Sequence, residues 1–370
     1  MNEPSTKPLR FHWRLPHGGE TFSGTLASQK DQPHIGLPDL AAQVRFCRQA
    51  ERWGIESVLT DFGFAKPDPI LLAAALGRAT KKIKFIIAYR SGLLMPTLFV
   101  QQLNTLSSLI NGRFSLNIVA GYSRAEQRSY GDFLSHDERY ERTDEFLSIC
   151  RALWNGGSAV NFEGKYYRIE KGNVSTPFVS TSRAFPEIFV AGSSSAAKIL
   201  AMRQGTCWLR LVDALQRFRE EAVGISQRGL DLGLRLSIIS RDTRANARMA
   251  AESLIADLNT AQKEVEFVRQ TDSKSIKATH ELARTEWLTP ILWTGAVRYI
   301  GPTAAALVGT PEDIARSLME FRALGISQFI LSGWPKLEEM VRFGRDILPL
   351  VRKKEAATEI SILRHAAARN

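Results

Sequence analysis

The chain is poor in cysteine, with only Cys47, Cys150 and Cys207 in 370 residues. An odd number at such wide spacing supplies neither a disulfide framework nor a Cys-x-x-Cys metal site. Cys47 and Cys150 fall on the apolar faces of helical stretches, where a thiol packs as a small buried hydrophobe. No apolar run approaches the length needed to cross a bilayer. The opening residues, Met-Asn-Glu-Pro-Ser-Thr-Lys-Pro, contain no signal-peptide hydrophobic segment. A soluble cytoplasmic protein is therefore expected. Familiar signatures are missing too: no Gly-x-Gly-x-x-Gly behind a strand, no Walker loop, no His-Glu-x-x-His and no Gly-x-Ser-x-Gly. The histidines are dispersed, and no metal site is expected.

Acidic residues are outnumbered, 38 against 49 lysines and arginines, which leaves a net charge of +11. That balance favours anionic partners. The cations are scattered, however, without a long basic block or an aromatic-interleaved stripe, so no nucleic-acid partner is expected. An anionic small molecule needs only a local basic pocket.

What the sequence has in quantity is alternation. Strand-like runs occur at Leu9–Arg14, Ser57–Thr60, Ile83–Tyr89, Phe114–Ala120, Glu187–Ala191, Thr206–Arg210, Leu234–Ser240 and Gln328–Ser332. Helical patterns lie between them. In 39–53, Leu40, Val44, Cys47 and Ala50 repeat at helical spacing and Gly54 supplies a stop. Phe146, Leu147, Cys150, Leu153 and Trp154 do the same in 139–154, and Pro311 and Gly325 bracket another helix. Repeated strand–helix units mean parallel strands covered by helices, and eight of them fit a closed (β/α)8 barrel of the TIM type. Two stretches exceed an ordinary loop: 155–186, read as an irregular or hairpin insertion, and about 259–300, read as a partly helical lid with helical patches near 262–269 and 276–284. The tail after about residue 352 is read as exposed and mobile.

Several residues could carry chemistry. Asn117 is a lone amide within an apolar strand, so it needs a partner. Ala191-Gly192-Ser193-Ser194-Ser195 joins a strand to a helix, where small residues, hydroxyls and helix N-terminal amides suit a phosphate; a plain helix N-cap explains the same residues. His136-Asp137-Glu138-Arg139-Tyr140 opens a helix that Asp137 could cap. Arg90 leaves the third strand just before Met95-Pro96-Thr97, the start of a helix, and could meet a ligand or pair with a carboxylate.

Asn111-Gly112-Arg113, His136–Tyr140, Gly192-Ser193-Ser194, Ala305–Gly309 and Leu331–Glu339 occur in an order and spacing that resembles the bacterial luciferase-like flavin monooxygenases, and within them the alkanesulfonate monooxygenase branch. The resemblance runs from about residue 8 to 350. It implies one luciferase-like barrel domain spanning 1–370. It also implies reduced FMN (FMNH2) as cofactor, O2 as co-substrate, a small-molecule substrate, a separate NAD(P)H:flavin reductase and a homodimer or homotetramer. Gly192, Ser193, Ser194 and Tyr140 match residues that hold the FMN phosphate, and Asn117 matches an asparagine that bonds the isoalloxazine. Trp13, on the aromatic first strand, matches the substrate side. His12 beside it is an acid/base candidate, although strand alternation can equally turn it away from the barrel interior.

The departures matter as much. The branch carries Arg-x-His on the seventh strand, and here Arg235-Leu236-Ser237 keeps only the arginine. The branch cysteine after the second strand falls near Ala65 or Lys66, its Ser-Gly-Tyr-Pro tyrosine becomes Trp334, and its lid arginine falls near Ile300, two residues from Arg298. Serine and tryptophan cannot carry protons as histidine and tyrosine do near neutral pH. Arg235 thus stands as the residue to hold an anionic group, Trp334 to shape the cavity and Arg90 and Arg298 to meet substrate. Three activities stay open: oxygenation of a metabolite at carbon or nitrogen, oxidative C–S cleavage, and non-catalytic flavin binding. A deazaflavin in place of FMN also stays open.

Overall fold

The computed structural model describes residues 8–17, 38–63, 66–180, 183–226, 229–256 and 268–367. Eight parallel strands close into a barrel: β1 (Arg10–Arg14), β2 (Ser57–Thr60), β3 (Lys84–Tyr89), β4 (Phe114–Ile118), β7 (Ile188–Ala191), β8 (Cys207–Leu211), β9 (Asp231–Ser240) and β12 (Ile326–Gly333). They follow one another around the barrel in that order, and β12 returns to β1. All eight strand-like runs of the sequence are barrel strands.

Two further pairs lie outside the ring. β5 (Val160–Glu163) and β6 (Arg168–Gly172) form an antiparallel hairpin, the insertion expected within 155–186. β10 (Leu292–Trp293) pairs antiparallel with β11 (Ala306–Gly309), which the sequence did not announce as strands. β11 matters for the site. The long strand β9 pairs with β8 through residues 231–235, then with β11 through 237–240. The two partners use successive halves of one edge, so β8 and β9 part at their C-terminal ends.

Local chemistry sets the helix boundaries. Asp39 caps Leu40–Arg52 by accepting from the Ala42 amide at 2.9 Å, and Gly54 follows at φ +77°. Pro96 and Pro311 begin their helices as expected. The helix His136–Asn155 is capped by Ser135 rather than Asp137: Ser135 and Glu138 form a reciprocal capping box. Beyond residue 352 the chain continues in the helix Leu348–Ala367, mostly exposed over 352–360 as expected, with Glu355 buried, accepting from the Leu9 amide and pairing with Arg352 at 2.6 Å.

Period-two alternation sorts each strand between two cores. Outward side chains such as Phe11, Trp13, Phe85, Phe329 and Leu331 pack against the helices. Inward ones form layers. At the N-terminal end Arg10 pairs with Glu56 and Glu187, both at 2.6 Å. The middle holds Leu59, Ile86, Phe189, Cys207 and Ile330. Burial raises the thiol pKa of all three cysteines, which are buried as expected for Cys47 and Cys150. Among the described residues no helix is long and apolar enough to cross a membrane.

Candidate active site

Above the apolar layer, at the C-terminal end of the strands, lies a cavity of about 500 Å³. This is the end at which a parallel barrel presents its loops and ligands. Ala88, Asn117, Ala191 and Leu209 line its floor. Ser273, Ser275 and Ile276 line one side, and Ile300–Ala304, which lead into β11, line another. The expected lid segment therefore meets the cavity through its later residues; 259–267 lie outside the described residues. The Ser273–Ile276 corner is tied down by Arg139 to Asp272 at 2.7 Å and by Thr271 to the Tyr122 carbonyl at 2.7 Å.

The walls are cationic: Arg14, Lys66, Arg90, Arg210, Arg235 and Lys336 line them, against one lining carboxylate among the described residues, Asp61. Asp61 is the first residue beyond β2. It accepts from Arg14 Nε at 2.7 Å, and Arg235 Nη2 lies 3.2 Å, His17 Nε2 3.3 Å and Lys66 Nζ 3.5 Å away. Burial would raise its pKa, but Lys66, Arg235 and Arg14 outweigh that and hold it well below the usual carboxylate range. Arg14, Lys66 and Arg235 thus converge on one carboxylate, and Arg210 is paired with Asp213 at 3.1 Å and with Glu221.

Across the floor, Arg90 donates from Nη2 to Glu126 Oε2 at 2.6 Å and lies over the rings of Phe62 and Tyr130, at 4.9 and 5.9 Å. Both expected partners of Arg90, a ligand space and a carboxylate, are therefore present. Asn117 is buried beside it, and its Oδ1 has no hydrogen-bond partner among the described residues.

At the opposite end Tyr140 and Gly192 line the cavity. The Tyr140 hydroxyl donates to the Ala191 carbonyl at 3.3 Å and also bonds Ser194. Burial pushes its pKa up to about 12, so it remains a neutral phenol. Gly192 sits at φ +135°, and a Cβ there would lie 2.7 Å from the Tyr140 oxygen and 2.9 Å from Ala197 Cβ. Ser194 caps the helix Ser195–Gln204 by accepting from the Ala197 amide at 3.1 Å. The N-cap reading of this segment is thus realised for Ser194. Ser193 is half-buried in the same turn, and neither serine side chain lines the cavity directly.

Of the sequence candidates, Asn117, Tyr140, Gly192, Arg90, Arg235 and Trp334 converge on this space. Three do not. Trp13 is fully buried on the outer face of β1, 5.7 Å from the Phe343 ring, because an odd position of that strand faces the helices. His12 does point inward, but one layer too deep. It packs edge-on against Phe189, its Nε2 lies 3.1 Å from Gln328, and burial lowers its pKa to about 4. Arg298 is exposed on the short helix Val297–Ile300 and does not line the cavity. Ser237, where the sulfonate branch has histidine, is buried in bonds to Ser332 at 2.7 Å and to the Thr303 carbonyl at 2.8 Å. Lys66 lines the cavity near the branch's cysteine position, whereas Ala65 lies outside the described residues. Sequence reasoning missed Asp61, Arg14 and Glu126. The place of Asp61 immediately after a strand was the available signal.

A family model described as luciferase-like monooxygenase matches residues 10–328. Among solved structures, a riboflavin lyase with modified FMN and its substrate riboflavin is 18% identical, with a TM-score of 0.76 over 94% of this chain and 92% of that one. EDTA monooxygenase from Chelativorans sp. BNC1 is 19% identical, with a TM-score of 0.74 over 94% of each chain. DmoA from Hyphomicrobium sulfonivorans is 19% identical, with a TM-score of 0.73 over 94% and 89%. At these identities the likeness establishes the barrel.

Proposed function

The chain belongs to the luciferase-like monooxygenase family, and from that premise we propose a two-component flavin-dependent monooxygenase that receives reduced FMN from a separate reductase and uses O2 to oxygenate a small organic metabolite. The observation that carries the reading is the cradle at Gly192. Its missing side chain lets the strand-to-helix turn close up against the Tyr140 hydroxyl and Ala197 at the start of Ser195–Gln204, where helix amides favour an anion. The unpartnered Oδ1 of Asn117 on the floor fits the same ligand.

Bound there, reduced FMN would supply the electrons that activate O2. The residues supply everything else. Tyr140, Gly192 and the Ser193–Ser194 turn hold the phosphate end, with the phenol as neutral donor. Arg235, oriented by Asp61, holds an anionic group of the substrate. Trp334 shapes the apolar part of the cavity. Ser273–Ile276 and Ile300–Ala304 cover the mouth and exclude water. His12 is not assigned a proton-transfer role, because burial keeps it neutral and away from the cavity.

Oxygenation at carbon or nitrogen is favoured over C–S cleavage. Ser237 is already committed to Ser332 and Thr303, and Trp334 has no titratable hydroxyl. Anaerobic titration with reduced FMN, followed by oxygen-consumption measurements, tests the assignment. Tight binding with rapid O2 uptake is expected, and a Tyr140→Phe/Ser193→Ala variant should bind reduced FMN at least about tenfold more weakly. Unchanged affinity in that variant, or tight binding of a deazaflavin with none of FMN, would overturn the cofactor assignment.

A further inference from the structure

Tyr122 lines the cavity with a phenol that sequence reasoning did not single out. It follows β4 by way of Gly121, whose φ of +84° lies in the left-handed region; a Cβ there would stand 2.4 Å from Gln127 Nε2. Thr271 donates to the Tyr122 carbonyl at 2.7 Å and fixes the main chain at this point. Four charged groups act on the phenol: Glu126 and Asp61, Arg90 and Arg235. They belong to two ion pairs, Arg90 to Glu126 at 2.6 Å and Arg235 to Asp61 at 3.2 Å. The first pair stands by the cavity floor and the second at the pole assigned to the substrate. A phenol on which both pairs act faces the space they share.

Oxygenation needs a proton carrier in that space. Reduced FMN, O2 and a substrate S–H give oxidised FMN, S–OH and water. One oxygen atom enters the S–H bond, the O–O bond breaks, and the other atom leaves as water with the two hydrogens that reduced FMN gives up. As the O–O bond breaks, the departing oxygen gathers negative charge, and an O–H donor placed against it stabilises that charge. Among the described residues no histidine lines the cavity. Asp61 is held ionised, and the Tyr140 hydroxyl already donates to the Ala191 carbonyl at 3.3 Å. Ser332 is bonded to Ser237 at 2.7 Å. Partial burial, with Glu126 and Asp61 acting against Arg90 and Arg235, raises the pKa of Tyr122, so its phenol is a protonated, neutral donor at neutral pH. Tyr122 is also 40% exposed, so solvent can exchange its proton. We infer that Tyr122 is a catalytic residue whose hydroxyl donates to the oxygen that departs as water and recovers its proton from reduced FMN, directly or through solvent. This rests on the oxygenase reading above and deepens it, by supplying the donor that His12, Ser237 and Trp334 do not.

The first arm of the test needs neither flavin nor substrate. Protein carrying 3-fluorotyrosine is titrated by fluorine NMR, and the resonance absent from Tyr122→Phe reports Tyr122. Its midpoint should fall by at least about 0.3 pH unit in Glu126→Gln and rise by as much in Arg235→Gln. The second arm gives Tyr122→Phe reduced FMN. Anaerobic affinity should stay within about twofold of the parent, because the phenol serves the oxygen and not the phosphate cradle. With a substrate identified by product analysis, the oxygenated product should fall at least about tenfold while O2 is still consumed and hydrogen peroxide is released instead. A resonance that moves in neither charge variant would overturn the placement of Tyr122 between the two pairs. Full product yield from Tyr122→Phe would overturn its role as donor. Product loss joined to a tenfold loss of flavin affinity would overturn it as well, by making Tyr122 a cofactor contact. Failure of the parent itself to bind reduced FMN is a separate result: it overturns the oxygenase reading first, and the donor role with it.

Discussion

Arg235 reaches from β9 to Asp61 beyond β2, placing Nη2 3.2 Å from Oδ1, although β12 and β1 stand between those strands in the barrel. Both residues line the cavity wall. Their contact therefore couples the position of the proposed anion-holding arginine to a carboxylate that is itself fixed by Arg14 at 2.7 Å.

Asp61→Asn should accordingly damage both stability and substrate affinity. An amide cannot balance Arg14, Lys66 and Arg235, and removing one partner from a buried charge cluster costs about 3 kcal/mol or more. Urea unfolding at pH 7 measures this, and a midpoint equal to that of the unaltered protein would refute the charge-balance argument. The pH dependence has a definite sign. Because the folded-state pKa of Asp61 is depressed, its contribution is present above the unfolded carboxylate value and is lost only as pH falls through the lower folded value.

His12 predicts a second pH effect, in a different window. Its folded pKa is lowered to about 4 by burial, against about 6.5 in an unfolded chain. Between those values the unfolded chain takes up the proton and the folded one does not. Stability from this residue is thus full above about pH 6.5 and falls by roughly 3 kcal/mol as pH drops toward 4. Unfolding free energies of the protein and of His12→Asn, compared at pH 7 and pH 5, check it: the variant should lose less stability over that interval. Equal losses would mean that His12 is not the titrating group.

Much of this site was legible in the sequence, and the reasons differ residue by residue. The eight barrel strands declared themselves through β-rich runs separated by helical repeats. Asn117 is visible as a lone amide in an apolar run and Gly192 as part of a small-residue turn between strand and helix, whereas Tyr140 shows only through the family resemblance. The parity of β1 was not visible. Arg10 to Arg14 carries apolar or aromatic groups on the outer face and polar groups on the inner one, so it could not be oriented without knowing which side held the helices. Asp61 escaped because its partners Arg14 and Arg235 lie 47 and 174 residues away, beyond any spacing rule. The short strand Ala306–Gly309 shows in the sequence only as a motif, since its pairing depends on the upper half of β9 being released from β8.

Gly192→Ala tests the cradle directly. The added Cβ would stand 2.7 Å from the Tyr140 oxygen and 2.9 Å from Ala197 Cβ, at a backbone φ of +135° that L-residues rarely adopt. Tyr140 must move or the turn must shift. Reduced FMN should bind at least about tenfold more weakly, with a stability loss on the order of 1–3 kcal/mol. Titration and thermal unfolding together separate the two effects. Unaltered flavin affinity would show that the turn plays no part in holding the cofactor.

Trp13 and Trp334 give opposite predictions because they sit on opposite sides of the barrel wall. Trp13 is fully buried among the outer-layer side chains against Phe343, so Trp13→Ala should cost about 3–5 kcal/mol and leave flavin affinity and substrate preference unchanged in the folded fraction. Trp334 is half-buried and lines the cavity, so Trp334→Ala should leave the unfolding midpoint within about 1 kcal/mol of the parent while changing which substrates are oxygenated. Chemical denaturation of both variants, paired with product analysis over a panel of candidate substrates, distinguishes the roles. A Trp13 variant that keeps full stability but shifts substrate preference would mean that the inner and outer faces of β1 have been assigned the wrong way round, and the positions given to Arg14 and His12 would fall with it.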